Sequence, residues 1–106
     1  QYSQEDFTDE QKAHIQNMIS LVEESLNEMV VVVANSEQQK TIPSKAYNLE
    51  HEINNFRSQL KNQNIQDVNN HLYSYQIGVF YTDLISQCEK LGDYVLNVIQ
   101  ATCGRQ

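Results

Sequence analysis

The residues best suited to chemistry are acidic side chains that recur four positions apart at two points in the sequence. Glu89 and Asp93 form the later pair, and Glu50 and Asn54 have the same spacing earlier in the chain. On a helix, residues four apart lie on one face about 6 Å from each other, so Glu89 and Asp93 repel mildly. A cation between them would turn that repulsion into affinity, because hard divalent ions prefer oxygen ligands.

A plainer interpretation of the same pattern is a solvated helix face, since acidic pairs at this spacing are common. The carboxylates could also form ion pairs with Arg57 and Lys90. If the two stretches face each other in a bundle, they supply three carboxylates and one amide oxygen, the ligands of an oxygen-rich metal site. The residues alone leave these alternatives open.

Three helices are the elements that must position these side chains. Apolar residues at steps of three and four predict helices over about residues 8–35, 44–62 and 71–102, with Gly104 as the last stop signal. Thr8 and Gln11 form a capping-box pattern at the first start. Three glycines and one proline are too few for the turns of a β-sandwich. We expect an all-α, antiparallel up-down-up three-helix bundle over residues 8–103 as a single domain, with residues 1–7 disordered or extended.

The predicted core is the apolar seam of each helix. Its members are Ile15, Met18, Val22, Met29 and Val33 on the first helix, Ala46, Leu49, Ile53, Phe56 and Leu60 on the second, and Leu84, Cys88, Leu91, Val95 and Val98 on the third. Gly92 lies inside the third helix, where a glycine often marks the close approach of a backbone or a ligand. Cys88 and Cys103 would be about 22 Å apart on one helix, so we expect free thiols.

Composition excludes several classes of function. A net charge of −7 and a pI of about 4.7 disfavour nucleic acid and anionic membrane surfaces as partners. The longest apolar run has six residues, whereas a membrane span needs about 20, so we expect no membrane insertion. The sequence contains no glycine-rich phosphate loop and no GxSxG element, so we expect neither tight phosphate binding nor a serine nucleophile of that type. Because it starts without Met, we expect a fragment of a longer protein.

The residues around Glu89 resemble the signature helix of the PhoU family of phosphate-uptake regulators, which contains the pattern ERIGDHxxNI. The matching positions here are Glu89, Lys90, Leu91, Gly92, Asp93, Asn97, Val98 and Ile99, with Tyr94 in place of the usual His. Residues 49–60 are similar to the family's second motif, an acidic residue followed four positions later by Asp or Asn. The Asn54 form resembles the PhoU-like domains at the C-terminal, cytoplasmic end of bacterial sodium/phosphate cotransporters.

This resemblance implies a non-enzymatic regulatory domain of a sodium-dependent phosphate transporter. It implies a place at the cytoplasmic face of the inner membrane, in contact with the transmembrane portion of the same transporter. Some family members bind iron or zinc through the two acidic motifs, and the corresponding positions here are Glu50, Asn54, Glu89 and Asp93. Typical regulators have two three-helix units and this chain has one, so we expect a homodimer.

Three alternatives accompany that expectation. One is a free-standing PhoU-like adaptor that contacts a transporter ATPase and a sensor kinase. Another is a helical bundle that serves only as an oligomerisation module. The third is a carboxylate-bridged metal enzyme, which is disfavoured because such sites need Glu-x-x-His pairs that Glu50, Glu52 and Glu89 do not form.

Overall fold

The computed structural model describes residues 5–38 and 40–103, and within them the protein forms three helices. These are α1 (Asp9–Ala34), α2 (Ser44–Asn69) and α3 (Tyr75–Cys103). Each helix packs against the other two, which confirms the predicted all-α three-helix bundle. Within these ranges, none of the helices is both long and apolar enough to cross a membrane. Residues 1–4 of the predicted N-terminal segment and the predicted stop at Gly104 lie outside the described residues.

Two apolar clusters fix the relative directions of the helices. The first joins the early part of α1 to the later part of α2 and the early part of α3, through Met18, Val22, Ile53, Leu60, Tyr81, Ile85 and Cys88. The second joins the end of α1 to the start of α2 and the end of α3, through Val32, Ala46, Val95, Ile99 and Cys103. The helices α1 and α3 therefore run in the same direction, and α2 runs against both.

The start of α1 carries the predicted capping box. The Gln11 backbone N–H donates to Thr8 Oγ1 at 3.0 Å, and the Thr8 backbone N–H donates to Gln11 Oε1 at 2.9 Å. These bonds satisfy backbone donors that the first helical turn leaves without intrahelical partners. Just before the helix, Phe7 packs against the first cluster, with its ring centroid 6.2 Å from that of Tyr81.

The predicted end of the second helix at Asn62 is wrong, because α2 continues to Asn69. This stretch is rich in Asn and Gln, but Leu60, Asn64 and Val68 recur every four residues and therefore share one face of α2. Asn64 and Val68 lie against Gly78 of α3, whose missing Cβ would be 2.8 Å from Val68 Cγ2 and 3.0 Å from Asn64 Oδ1. Contact with α3 therefore stabilises a segment whose composition alone is neutral.

The predicted start of the third helix at His71 is also wrong, since α3 begins at Tyr75. His71 has a φ of 62°, the left-handed conformation that ends a helix. The His71 N–H donates to Val68 O at 3.0 Å, and the Leu72 N–H donates to Asp67 O at 2.9 Å. This pair of bonds is a Schellman motif, which the sequence did not reveal because glycine usually occupies the left-handed position.

The predicted seams are correct for α2 and partly wrong for the other two helices. On α1, Val32 is fully buried whereas the predicted Val33 is 47% exposed. On α3, the predicted Leu84 and Leu91 are 36% and 48% exposed. The buried stripe of α3 consists of Ile77, Gly78, Tyr81, Ile85, Cys88, Gly92, Val95, Ile99 and Cys103. Because α1 and α3 carry apolar residues on two adjacent faces, spacing alone could not decide which face is buried.

The two cysteines are free and buried, as predicted. Cys88 belongs to the first cluster and Cys103 to the second, so they lie in different parts of the core. Burial raises the pKa of the Cys88 thiol. Both residues therefore act as small apolar side chains.

Candidate functional site

The four predicted site residues lie where α2 and α3 pack together, and all four are partly buried. Asn54 Nδ2 donates a hydrogen bond of 2.6 Å to Glu50 Oε2 within α2. This bond holds the Glu50 carboxylate in place one helical turn from Asn54. Since the amide nitrogen is engaged, the Asn54 carbonyl oxygen is the atom that this side chain could offer to a cation.

Glu89 interacts electrostatically with Asp93, Arg57 and Glu50. Its pKa is raised above the ordinary value, first by burial and then by a hydrogen bond and charge repulsion from Asp93. The Glu50 carboxylate of α2 adds a smaller effect in the same direction, and the Arg57 guanidinium opposes it. The spacing thus correctly predicts the Glu89–Asp93 pair, and the packing of α2 on α3 brings Glu50 within electrostatic range of it.

Arg57 belongs to this site although the predicted ligand set does not include it. Its Nε is buried and has no hydrogen-bond partner. Its charge lowers the pKa of Glu89, so it offsets part of the negative charge between α2 and α3. The sequence carried a signal for this placement, since Arg57 is seven residues after Glu50 and therefore on the same face of α2.

Gly92 lets α3 approach α2 between Glu89 and Asp93. A Cβ at this position would lie 3.1 Å from Ile53 Cδ1, which is tighter than ordinary van der Waals contact. Ile53 is 1% exposed, so the glycine sits against the buried core. The close approach predicted at this glycine is made by the Ile53 side chain.

The donor chemistry of the site suits a hard divalent cation, because it consists of carboxylate and amide oxygens. Among residues 5–38 and 40–103, however, no three His, Cys, Asp or Glu side chains converge as a closed metal site would require. Glu89 and Asp93 are the part of the predicted set that the fold holds as an adjacent pair. The chemistry of these residues thus fits an open cation site, with Glu89 and Asp93 as an adjacent pair of carboxylates and Glu50 nearby.

A second polar cluster, which sequence reasoning missed, joins the start of α1 to α3. His14 Nδ1 lies 3.2 Å from the Tyr81 hydroxyl, and the Tyr73 hydroxyl donates to Asn64 Oδ1 at 2.8 Å. Gln11 is 3% exposed beside them, and its Nε2 has no hydrogen-bond partner. Burial raises the pKa of both tyrosines, so their hydroxyls stay protonated. These polar contacts join α1 to α3, and α2 to the turn before α3, through residues that are distinct from those of the acidic site.

The bundle also has an open groove of about 460 Å³ between α1 and α2. Its lining combines apolar and polar side chains, including Leu21, Phe56, Glu24 and Glu52.

Comparison with known proteins identifies no relative of this chain. No family model, no curated protein and no solved structure matches the chain.

Proposed function

We propose that this chain is a non-enzymatic regulatory domain of a sodium-dependent phosphate transporter, at the cytoplasmic face of the membrane, with a divalent-cation site between α2 and α3. The observation that carries the proposal is the Glu89–Asp93 pair, which is partly buried and lies within the field of Glu50. The transporter assignment rests on the resemblance of residues 81–99 and 49–60 to the PhoU motifs.

Glu89 and Asp93 would hold the cation through α3, and Glu50 would connect it to α2. The ion, iron or zinc by resemblance, would supply positive charge beside carboxylates that Arg57 compensates only in part. Without a cation, burial and repulsion from Asp93 and Glu50 raise the pKa of Glu89, and the Arg57 charge offsets part of this effect. Binding would therefore tighten the contact between α2 and α3, at the level where Gly92 packs against Ile53.

The proposed regulation follows from this coupling. Cation occupancy changes the packing free energy of α2 against α3, and a membrane portion in contact with the bundle would respond to that change. A ligand shifts such an equilibrium only by its difference in affinity between the two packings. The burial of Glu89 and its repulsion with Glu50 of α2 provide that difference, because both depend on how closely the two helices pack.

The test is phosphate uptake by cells that carry Glu89→Ala and Asp93→Ala together at the chromosomal locus. Uptake should lose its normal adjustment to phosphate supply while the protein remains present at its usual level. Asp83→Ala is the matched control, because Asp83 is an exposed carboxylate on the same helix, outside the site. Unchanged regulation in the double variant would contradict the proposal.

A second candidate is a module whose role is oligomerisation, and a specific observation favours it. Several large apolar side chains of α1 and α3 are exposed, among them Val30 at 60% and Phe80 at 52%. In that case the acidic pair would be dispensable, so the Glu89→Ala, Asp93→Ala variant would keep both its assembly state and its biological activity. If the chain is instead a free-standing adaptor, the same double variant would lose its contacts with a transporter ATPase and a sensor kinase.

A further inference from the structure

The groove between α1 and α2 extends along one side of the bundle. It consists of the cavity of about 460 Å³ described above and a second open cavity of about 500 Å³, and both have Phe56 and Gln59 in their walls. The first cavity reaches Glu24 of α1 and the second reaches Glu10. At 1.5 Å per residue, the groove is therefore about 21 Å long.

The floor of the groove is partly apolar and is formed by contacts between the two helices. Leu21, His14 and Phe56 are half-buried there. The rings of His14 and Phe56 meet edge to face, with their centroids 5.9 Å apart. Because these side chains already contact each other, the floor needs no rearrangement to receive a ligand.

The walls of the groove carry negative charge without positive charge. Glu10 lies at one end, and Glu24 and Glu52 lie at the other. Among the described residues, no lysine or arginine lines either cavity. Arg57 and Lys61 of α2 lie one helical turn apart on the side that faces α3, as the effect of Arg57 on Glu89 shows. The groove therefore favours a positively charged ligand.

Most of the other side chains in the walls are amides. Asn17 of α1 and Asn55, Gln59 and Asn62 of α2 are exposed, and none of them has a hydrogen-bond partner within the described part of the chain. Each amide offers a donor and an acceptor. A helix satisfies its own backbone groups, whereas an extended segment needs partners for them. The amide walls therefore favour an extended peptide.

A buried donor at the Glu10 end of the groove requires an acceptor. Gln11 is 3% exposed, and its Nε2 has no hydrogen-bond partner in the described part of the chain. It lines a small cavity that shares Glu10 and His14 with the groove and has room for about one oxygen-sized group. A peptide carbonyl oxygen would fit this space and accept from Gln11 Nε2.

We propose that the groove binds an extended, positively charged peptide segment of a partner protein. At about 3.3 Å per residue, the length of the groove accommodates about six residues. A lysine or arginine near each end of the segment meets Glu10 and the two carboxylates of Glu24 and Glu52. An apolar side chain between them contacts Leu21 and Phe56. The net charge of −7 attracts such a segment toward the chain.

The test is fluorescence anisotropy of a labelled hexapeptide with lysine at both ends, leucine at the third and fifth positions and serine elsewhere. Titration with the 106-residue chain should show binding. Raising the salt concentration from about 50 to about 500 mM should weaken the affinity several-fold, because the carboxylates of the walls are exposed. The same peptide with glutamate in place of lysine should not bind.

Variants of exposed residues locate the binding surface. Ser20→Lys places a positive charge in the groove, and Glu24→Gln with Glu52→Gln removes two negative charges from it. Each change should weaken binding by about 10-fold. Glu23→Gln with Asp83→Asn is the matched control, because it removes two exposed carboxylates outside the groove, and it should bind like the wild type. Circular dichroism verifies that each variant keeps its helical content.

Failure of the lysine peptide to bind at about 1 mM would overturn the proposal, and so would unchanged binding by Ser20→Lys. Spermine carries positive charge without a peptide backbone, so it should compete poorly. If it displaced the peptide at equal concentration, the groove would be a site for small polycations and the proposal would be wrong. The Glu89→Ala, Asp93→Ala variant should bind the peptide like the wild type, because those carboxylates lie between α2 and α3. The inference is thus independent of the proposed function, and the two can fail separately.

Discussion

At the scale of single residues, Glu89 affects both the stability of the fold and the candidate cation site. Its carboxyl is partly buried and hydrogen-bonded to Asp93, so its pKa is raised above the ordinary 4.5. A carboxyl with a raised folded-state pKa favours the folded state at low pH. That contribution is lost as the pH rises from about 4.5 through the folded-state pKa. At neutral pH the charged side chain opposes folding, as expected for a group placed for binding.

Replacing Glu89 with Gln should therefore stabilise the metal-free protein at neutral pH. Gln keeps the size of the side chain and removes its repulsion with Asp93 and Glu50, so Tm at pH 7 should rise by up to about 3 °C. Near pH 4 the gain should disappear, because the wild-type carboxyl is then protonated. Thermal unfolding in EDTA, followed by circular dichroism at both pH values, measures this difference.

Asp83→Asn serves as the control for that comparison. It removes one acidic charge from the same helix at an exposed position, so any general effect of net charge appears in both variants. A Glu89→Gln protein that is less stable than the wild type at pH 7, or no more stable than Asp83→Asn, would show that Glu89 is not under repulsion.

At the scale of helices, local signals predicted what local interactions determine. The capping box of Thr8 and Gln11 was predictable because it lies within one turn, and the seam of α2 because its buried residues recur at steps of three and four. The end of α2 and the start of α3 were not, because the Schellman motif places His71 in a conformation that usually selects glycine. The buried face of α3 depends on which side meets the other helices, and spacing does not reveal that.

The two helical glycines provide a prediction about how closely α3 packs on α2. A Cβ at Gly78 would lie 2.8 Å from Val68 Cγ2 and 3.0 Å from Asn64 Oδ1, and the β-branched Val68 has little freedom to move. Gly78→Ala should therefore destabilise the protein by about 1 to 2 kcal/mol, even though Ala is the better helix former.

Gly92→Ala is the matched comparison. Its Cβ would meet only Ile53, with Cδ1 as the nearest atom at 3.1 Å, and that terminal methyl can shift by a few tenths of an ångström. The gain in helix propensity of about 1 kcal/mol should offset this adjustment, leaving stability close to that of the wild type. Urea unfolding compares the two variants. A Gly78→Ala protein as stable as Gly92→Ala would mean that the tight contact at Gly78 imposes no constraint.

At the scale of the whole molecule, the bundle presents two separate surfaces on α3. One edge carries Glu89 and Asp93 toward α2, and the other carries Leu84 and Leu91 alongside α1. The sequence predicted the acidic residues from their spacing, but it placed Leu84 and Leu91 in the core. Only the packing of three helices shows that these leucines are exposed, and that Arg57 lies beside the carboxylates.

The central claim is that the acidic residues between α2 and α3 form a cation site. The most direct test is the metal content per chain of tag-free protein purified from metal-replete medium, measured by elemental analysis. The wild type should contain iron, zinc or another divalent metal near one equivalent or more, and the Glu89→Ala, Asp93→Ala variant should lose it. Absence of metal from both proteins, or equal content in both, would contradict the claim.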